Sequence, residues 1–226
     1  IYQGVIFSFS IKNKALKELS KLKQCRCVLH NSITITKGCI VFGEYGRNSF
    51  RNDVPLWVSR DDGESFKVIN EIKNIKHIHG AYKDPYKNSI WVTTGDVDGE
   101  CFLIEFLNED FLNPIFHGDG TQKWRTVSLM FREDKIFWIM DSPNEVPKLQ
   151  ILDRDTMEVT EGKSFDAPVW YTKRLSDSSY LAQTSIEPGS AVKSKHSKIF
   201  YSNNLEHWYQ VASFKKDLLP KILFKF

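Results

Sequence analysis

Four acidic residues in this sequence each follow a run of strand-forming residues, and carboxylates placed in this way could do acid–base chemistry. They are Glu44, Asp96, Asp141 and Glu187, and subtracting their numbers gives spacings of 52, 45 and 46 residues. Like charges held together repel, so at least one of the carboxyl pKa values should rise unless a cation intervenes. A protonated carboxyl beside an ionised carboxylate suits glycoside cleavage, so all four are candidate catalytic residues.

Basic and aromatic side chains elsewhere in the sequence are candidates for holding a substrate. An arginine can offset the charge of neighbouring carboxylates, and an aromatic ring can stack on a sugar. The candidate substrate-binding residues are Tyr45, Arg51, Trp124, Arg125 and Tyr171. Three other tryptophans are predicted to pack between sheets instead, namely Trp91, Trp138 and Trp170.

A His-x-His pair, His77 and His79, suggests a second kind of chemistry. In a strand, residues two apart point to the same face, so the two imidazoles could chelate one ion. Together with the carboxylates they could bind a divalent metal that organises a sugar or polarises a water molecule. The alternative is that both are ordinary core or surface histidines.

The spacing of the acids also indicates the architecture that positions them. A repeat of this length, in a chain of 226 residues with 16 Phe, 8 Tyr and 6 Trp, is typical of four-stranded propeller blades. Residues 1–226 are therefore predicted to form a single all-β domain, a β-propeller with four to five blades. The innermost strand of each blade is expected to carry its acid to one mouth of the central channel.

The start of the sequence bears on how much of such a propeller is present. The segment before Glu44 is about one blade long, and the first residue is Ile1 rather than Met. An open sheet edge invites aggregation, and propellers close by pairing strands from the two chain ends. The expectation is that the chain is the C-terminal part of a larger, N-terminally incomplete propeller.

A short motif marks one hairpin of the repeat. The run from Ser59 to Phe66 places Asp61 and Gly63 in a turn between two strand-like segments, where the Asp can accept turn amides and the Gly can take a positive φ. Ser59 lies 15 residues after Glu44. A weaker copy of the motif, residues 202–208, lies 15 residues after the fourth acid.

The run Ser59–Phe66 fits Ser-x-Asp-x-Gly-x-Ser/Thr-aromatic and resembles the Asp-box, or BNR repeat, of sialidase-like β-propellers. Longer strings resemble a group of bacterial sialidase-like propeller proteins carried in polysaccharide gene neighbourhoods. These strings are Gly43-Glu44-Tyr45, His77-Ile78-His79-Gly80, Asp84-Pro85-Tyr86, Trp91 to Asp96, Glu187-Pro188 and residues 216–224. The resemblance implies a β-propeller with a link to glycans, and it transfers no particular reaction.

Authentic sialidases carry features that this sequence matches only in part. They need three arginines, a Tyr nucleophile with a Glu base and an Asp acid, together with an Arg-Ile-Pro motif that is absent here. The arginines that could form the clamp are Arg51, Arg125 and Arg174, with Tyr45 or Tyr171 as nucleophile. Sialidase activity is therefore not the expected function.

Composition excludes several other classes of protein. The net charge of +3 is scattered, which argues against nucleic acid as a partner, and no apolar run approaches the length of a membrane span. The four cysteines show neither a CxxC pair nor a zinc spacing, which indicates free thiols and slightly favours a cytoplasmic location, although two disulfides stay arithmetically open.

The sequence thus predicts a carbohydrate-directed propeller with its site at the channel mouth, acting as a glycoside hydrolase. One alternative is a non-catalytic propeller that binds glycan or protein through the same face. Another is a degenerate chain that has lost its activity.

Overall fold

The computed structural model describes residues 1–29 and 32–216, and nearly all of its regular structure is β. The described residues contain 18 strands and one short 3₁₀ helix, Gln122–Trp124. The first two strands, β1 (Val5–Ser10) and β2 (Ala15–Lys21), form an antiparallel hairpin. The later part of the C-terminal string at 216–224 lies outside the described residues.

The other sixteen strands form four antiparallel sheets, each made of four strands consecutive in sequence, which we call blades 1 to 4. Blade 1 contains β3 (Thr34–Ile35), β4 (Ile40–Gly43), β5 (Val54–Ser59) and β6 (Lys67–Ile72). Blade 2 contains β7 (Ile78–Lys83), β8 (Ser89–Thr94), β9 (Cys101–Leu107) and β10 (Ile115–Gly120). Blade 3 contains β11 (Met130–Phe131), β12 (Lys135–Ile139), β13 (Lys148–Asp153) and β14 (Val159–Ser164). Blade 4 contains β15 (Val169–Arg174), β16 (Tyr180–Thr184), β17 (His196–Ser202) and β18 (Tyr209–Lys215).

Burial distinguishes the inner from the outer strands of a blade. The second strands β4, β8 and β12 are almost entirely buried, whereas the fourth strands β14 and β18 are exposed at nearly every position. Apolar side chains of adjacent blades pack together, as Val41 and Leu56 of blade 1 do with Ile78 and Ile104 of blade 2. The core therefore lies between the sheets, where burial of apolar surface stabilises the fold.

Each of the four acids follows the second strand of its blade. The expectation that they follow the innermost strand was wrong, because the first strand is the one at the inner edge of each sheet. Glu44 comes one residue after β4, Asp96 two after β8, Asp141 two after β12 and Glu187 three after β16. In an antiparallel meander, the second and fourth strands run in the same direction. The second strand therefore finishes at the same end of the sheet as the connection from the fourth strand to the next blade. The acids and the inter-blade connections therefore share one face of the molecule.

The hairpin at Ser59–Phe66 joins the third and fourth strands of blade 1, and so lies at the end of the blade opposite to the acids. Asp61 accepts hydrogen bonds from Ser59 Oγ (2.8 Å), Ser65 N (2.9 Å) and Ser65 Oγ (2.6 Å), which lower its pKa to about 2. Gly63 has a φ of 88° and donates its N–H to Ser59 Oγ at 2.9 Å. The hydrogen bonds of Asp61 and Ser59 therefore lock the conformation of this turn, which is remote from the acids.

The weaker copy at residues 202–208 is built in the same way. It joins the third and fourth strands of blade 4, and Ser202 Oγ accepts the Leu205 N–H at 2.8 Å. Asn204 Oδ1 accepts the N–H groups of Glu206 (3.1 Å) and His207 (2.8 Å). Asn204 thus performs the turn-locking role that Asp61 has in blade 1.

A buried ion pair connects blades 2 and 3. Arg154, in the turn after β13, places NH1 2.5 Å from Asp84 Oδ2 and NH2 3.2 Å from Asp84 Oδ1. The two side chains are 3% and 0% exposed, so both charges are almost fully shielded from water. Asp84 also accepts the N–H groups of Tyr86 and Lys87, which fixes the turn after β7.

The four cysteines, Cys25, Cys27, Cys39 and Cys101, carry free thiols. Within the described residues no helix has the length and apolar character needed to cross a membrane.

Candidate functional site

A pocket of about 180 Å³ lies on the face where the second strands end. All four blades or their connections contribute to its wall. The lining residues are Leu29, Tyr45, Asp96, Arg125, Val127, Asp141, Trp170, Tyr171 and Glu187. Three of the four candidate acids, one of the candidate arginines and two of the candidate aromatic residues are thus brought together.

Asp96 lies in a constrained turn between β8 and β9. Both Gly95 and Asp96 have positive φ, 148° and 152°, a region that residues other than Gly rarely adopt. A Cβ at Gly95 would meet Cys101 Sγ at 3.0 Å and Arg125 Cγ at 3.3 Å. The backbone is therefore held in an unusual conformation that aims the Asp96 side chain at its neighbours.

Asp96 is ionised by the groups around it. Burial opposes its charge, but the imidazoles of His77 and His79 in their protonated form, together with the Lys76 ammonium, outweigh burial and hold the pKa of Asp96 well below its usual range. Lys76 Nζ lies 2.5 Å from Oδ2, and Arg125 NH2 lies 3.3 Å from Oδ1. This carboxylate is therefore an anion at all ordinary pH values.

Asp141 is in the opposite state. It is 4% exposed, and burial, aided by the charges of Glu187 and Asp96 and opposed by Arg125, raises its pKa to about 8. Its Oδ2 lies 3.4 Å from Arg125 Nε, while Oδ1 is buried and has no hydrogen-bond partner among the described residues. At neutral pH Asp141 is therefore a neutral carboxylic acid with a proton to donate.

Arg125 connects these two acids. NH1 donates to the Asp96 carbonyl oxygen at 2.8 Å, and the Arg125 carbonyl accepts the Asp141 N–H at 3.0 Å. The residue directly follows the 3₁₀ helix, whose Trp124 stacks on Trp138 with 5.3 Å between ring centroids. This packing anchors the segment that carries the guanidinium, so Arg125 orders the pocket as well as lining it.

His77 and His79 lie behind Asp96, and both are buried. Their Nε2 atoms lie 3.1 Å apart, and 3.3 and 3.4 Å respectively from Asp96 Oδ1. The ring of Tyr45 packs on His77 with 4.1 Å between centroids. Burial and the nearby Asp96 charge raise the pKa of the Tyr45 phenol to about 12, so it is neutral at pH 7.

Blade 4 supplies the exposed wall of the pocket. Trp170 is 39% exposed and donates its indole N–H to Glu187 Oε1 at 3.3 Å. Tyr171, its neighbour in β15, also lines the pocket. Trp91 and Trp138 are buried between sheets as the sequence predicted, whereas Trp170 is not.

Glu44 does not join the other three acids. It is 1% exposed, and its carboxylate accepts the N–H groups of Lys23 (2.7 Å) and Gln24 (2.6 Å) and the indole N–H of Trp57 (2.9 Å). These bonds attach the segment after the β1–β2 hairpin to blade 1.

Other candidates also lie outside the pocket. Arg51 forms an ion pair with Glu100, Trp124 packs against Trp138, and the exposed Arg174 donates to Ser178 Oγ. Among the described residues, Arg125 is the one arginine in the pocket wall, so three arginines do not converge there.

Sequence reasoning missed Trp170 and the apolar residues Leu29 and Val127 as parts of the wall. The signal for Trp170 was its position next to Tyr171, itself a candidate. Leu29 and Val127 carry no chemical signal in the sequence, and only the folded arrangement brings them to the pocket.

Comparison with solved structures defines the class of fold. A protein provisionally named TolB from Agrobacterium tumefaciens superposes with a TM-score of 0.59 at 9% identity, over 94% of this chain and 75% of its own. A provisionally assigned 6-phosphogluconolactonase from Bacteroides fragilis gives 0.58 at 11%, over 96% and 65%, and the tricorn protease gives 0.56 at 11%, over 93% and 24%. The chain is therefore a β-propeller, of four four-stranded blades and a hairpin in the described residues.

These neighbours are longer proteins, and the chain spans less than two thirds of the length of the second and third. No protein-family model matches the sequence, and no curated protein matches it. At these identities the likeness concerns the fold alone.

Proposed function

We propose that this propeller binds a carbohydrate in the pocket and hydrolyses a glycosidic bond there. Asp141 is the general acid that protonates the leaving oxygen, and Glu187 is the carboxylate that acts as base or nucleophile. Tyr45, Trp170 and Tyr171 supply aromatic surface for a sugar ring. The proposal includes membership of the sialidase-like propellers, supported by the Asp61 turn lock and the longer sequence strings.

One observation carries the proposal: burial keeps the Asp141 carboxyl protonated at neutral pH, and Asp141 lines the same pocket as Glu187. Glycosidases hold two carboxyl groups in different protonation states so that one donates a proton while the other stays an anion. Asp141 lines the pocket, and its buried Oδ1 has no hydrogen-bond partner among the described residues, so no described protein acceptor holds its proton.

The sialidase reaction itself is not part of the proposal. It needs several arginines around a substrate carboxylate, and the described pocket offers Arg125, which already bonds to Asp96 and contacts Asp141. A neutral or weakly charged glycan fits three acids and one arginine better than an anionic sugar does.

The test is turnover by purified protein on a panel of 4-nitrophenyl glycosides and bacterial polysaccharides, with reducing ends as readout. Asp141→Asn and Glu187→Gln should each lower kcat by ~100-fold or more, the range expected for loss of general acid–base catalysis. Both should leave glycan binding, measured by calorimetry, nearly unchanged. Glu133→Gln, an exposed acid in the turn between β11 and β12 on the opposite face, is the matched control.

The alternative is a non-catalytic glycan-binding propeller, and the exposed indole of Trp170 is the observation that favours it. In that case the two substitutions would change binding, and the wild-type chain would cleave nothing in the panel. That result would overturn the hydrolase proposal while leaving the carbohydrate site in place.

A further inference from the structure

Two buried histidines, His77 directly before β7 and His79 within it, direct their Nε2 atoms towards the same point. His77 Nδ1 lies 2.8 Å from the carbonyl oxygen of Gly46, and His79 Nδ1 lies 2.9 Å from that of Thr126. A carbonyl oxygen only accepts, so each Nδ1 must carry a proton. Each Nε2 of a neutral imidazole is therefore a lone pair, and the two lone pairs face one another at 3.1 Å.

Two facing lone pairs repel unless a cation lies between them, and a third donor points to the same place. Asp96 Oδ1 is 3.3 Å from His77 Nε2 and 3.4 Å from His79 Nε2. We infer that His77 Nε2, His79 Nε2 and Asp96 Oδ1 bind one divalent transition-metal ion of the zinc type, with a fourth position open towards the pocket.

The distances fit this coordination. In a tetrahedral zinc site with arms of about 2.0–2.1 Å, neighbouring ligand atoms lie about 3.3–3.4 Å apart. The three observed separations are 3.1, 3.3 and 3.4 Å. Two imidazoles and one carboxylate form the donor set of open zinc sites, in which a water or a substrate takes the last position.

The groups around the three donors also match a metal site. Histidine ligands usually donate the other ring N–H to a carbonyl or carboxylate, which fixes the tautomer, and both imidazoles do so here. Ligating carboxylates are themselves hydrogen-bonded, as Asp96 is by Lys76 on Oδ2. His77 and His79 are about 2% exposed, whereas Asp96 lines the pocket. An ion can therefore reach the three donors from the pocket, on the side of Asp96.

The inferred site does not depend on the proposed hydrolysis. Asp141 and Glu187 could cleave a glycan without a metal, and a metal could bind without any turnover. The experiment therefore measures metal content and coordination rather than activity, so that failure of one proposal leaves the other standing.

Protein without a histidine tag is loaded with excess Zn²⁺ and desalted, and its zinc content per chain is measured by elemental mass spectrometry. The wild type should retain about one zinc per chain. His79→Ala and Asp96→Asn should each weaken binding beyond the ~10–100-fold that loss of an outer-sphere partner causes. His117→Ala is the matched control, because His117 also contacts a carboxylate, at 3.4 Å from Glu105, but has no second histidine beside it among the described residues.

Cobalt substitution gives a second readout that separates this site from the free cysteines. Co²⁺ held by nitrogen and oxygen in a tetrahedral site should give visible absorption without the near-ultraviolet band of thiolate ligation. Asp96→Asn keeps the volume of the side chain, so it carries the test if His79→Ala fails to fold.

Zinc that is lost from the wild type on desalting, or retained equally by Asp96→Asn, would overturn the inference. A thiolate band would overturn it too, by placing the ion on cysteine. A metal-free wild type would mean that the two imidazoles share a proton instead.

Discussion

Replacing Asp141 with Asn tests the electrostatics of the pocket through stability, without knowledge of the substrate. Burial raises the pKa of Asp141 from its ordinary 3.8 to about 8 in the folded chain. Between these values the unfolded chain releases the proton and the folded chain keeps it. The contribution of the protonated carboxyl to stability is therefore fully present below pH 3.8 and is lost as the pH rises to about 8.

The size of the effect follows from the shift. Each pH unit between the two pKa values lowers the free energy of unfolding by about 1.4 kcal/mol, which amounts to about 4 kcal/mol by pH 7. Asparagine has nearly the same shape and stays neutral, so Asp141→Asn removes this loss. The variant should match the wild type, apart from a constant offset, near pH 4 and should become progressively more stable relative to it up to pH 8.

Urea unfolding followed by tryptophan fluorescence, at unit steps from pH 4 to pH 9, measures the difference. Asp155→Asn, which changes an exposed acid in the turn after β13, is the control and should run parallel to the wild type. Parallel curves for Asp141→Asn would refute the reasoning, because they would show that the folded chain ionises Asp141 normally. The general-acid role would then lose its physical basis.

Three further substitutions test the scaffold and the pocket wall. Glu44→Gln places an amide N–H₂ against groups that already donate, so it should lower the free energy of unfolding, measured in urea, by ~1–3 kcal/mol. The folded variant should keep its turnover, and lost turnover in folded protein would contradict the structural role of Glu44. Asp84→Ala leaves Arg154 buried and unpaired and should destabilise by ~3–5 kcal/mol, whereas adding Arg154→Met should recover much of this; no recovery would show that the two side chains are not coupled. Trp170→Ala should change stability by less than ~0.5 kcal/mol but weaken glycan binding by roughly tenfold, as calorimetry can measure; unaltered binding would remove the indole from the site.

The blade repeat could be predicted from the sequence because it depends on local patterns. The strand-like segments that lead to Glu44, Asp96, Asp141 and Glu187 coincide with β4, β8, β12 and β16. These are the equivalent second strands of successive blades. The offset of 15 residues to Ser59 and Ser202 reflects the length of the third strand and its connections. Regular hydrogen bonding makes such distances repeat from blade to blade.

The position of these strands within the blade could not be predicted in the same way. Assigning the acids to innermost strands assumed that a buried, acid-ending strand must lie nearest the channel. The first strands β3 and β11 are only two residues long, too short to leave a pattern in the sequence. The longer second strands therefore carried the signal, and they end at the same face as the inter-blade connections.

The site itself shows the limit of reasoning from a repeat, since four equivalent acids have different environments. Glu44 is occupied by backbone donors and Trp57, and Glu187 is bonded to an exposed indole. Asp96 and Asp141 share Arg125, yet one is ionised and the other protonated.

The difference between Asp96 and Asp141 comes from the segments that connect the blades. The connection before β7 brings Lys76 and His77 to Asp96, and β7 adds His79. At Asp141 the described residues supply Arg125 alone as a cation, and at 3.4 Å it does not overcome burial. A symmetric scaffold thus places carboxyl groups at equivalent positions, and the irregular connections decide which one holds a proton. Moving a cation to Asp141, for example by Val127→Lys in the pocket wall, should lower the pKa of Asp141 and flatten the pH dependence of stability described above.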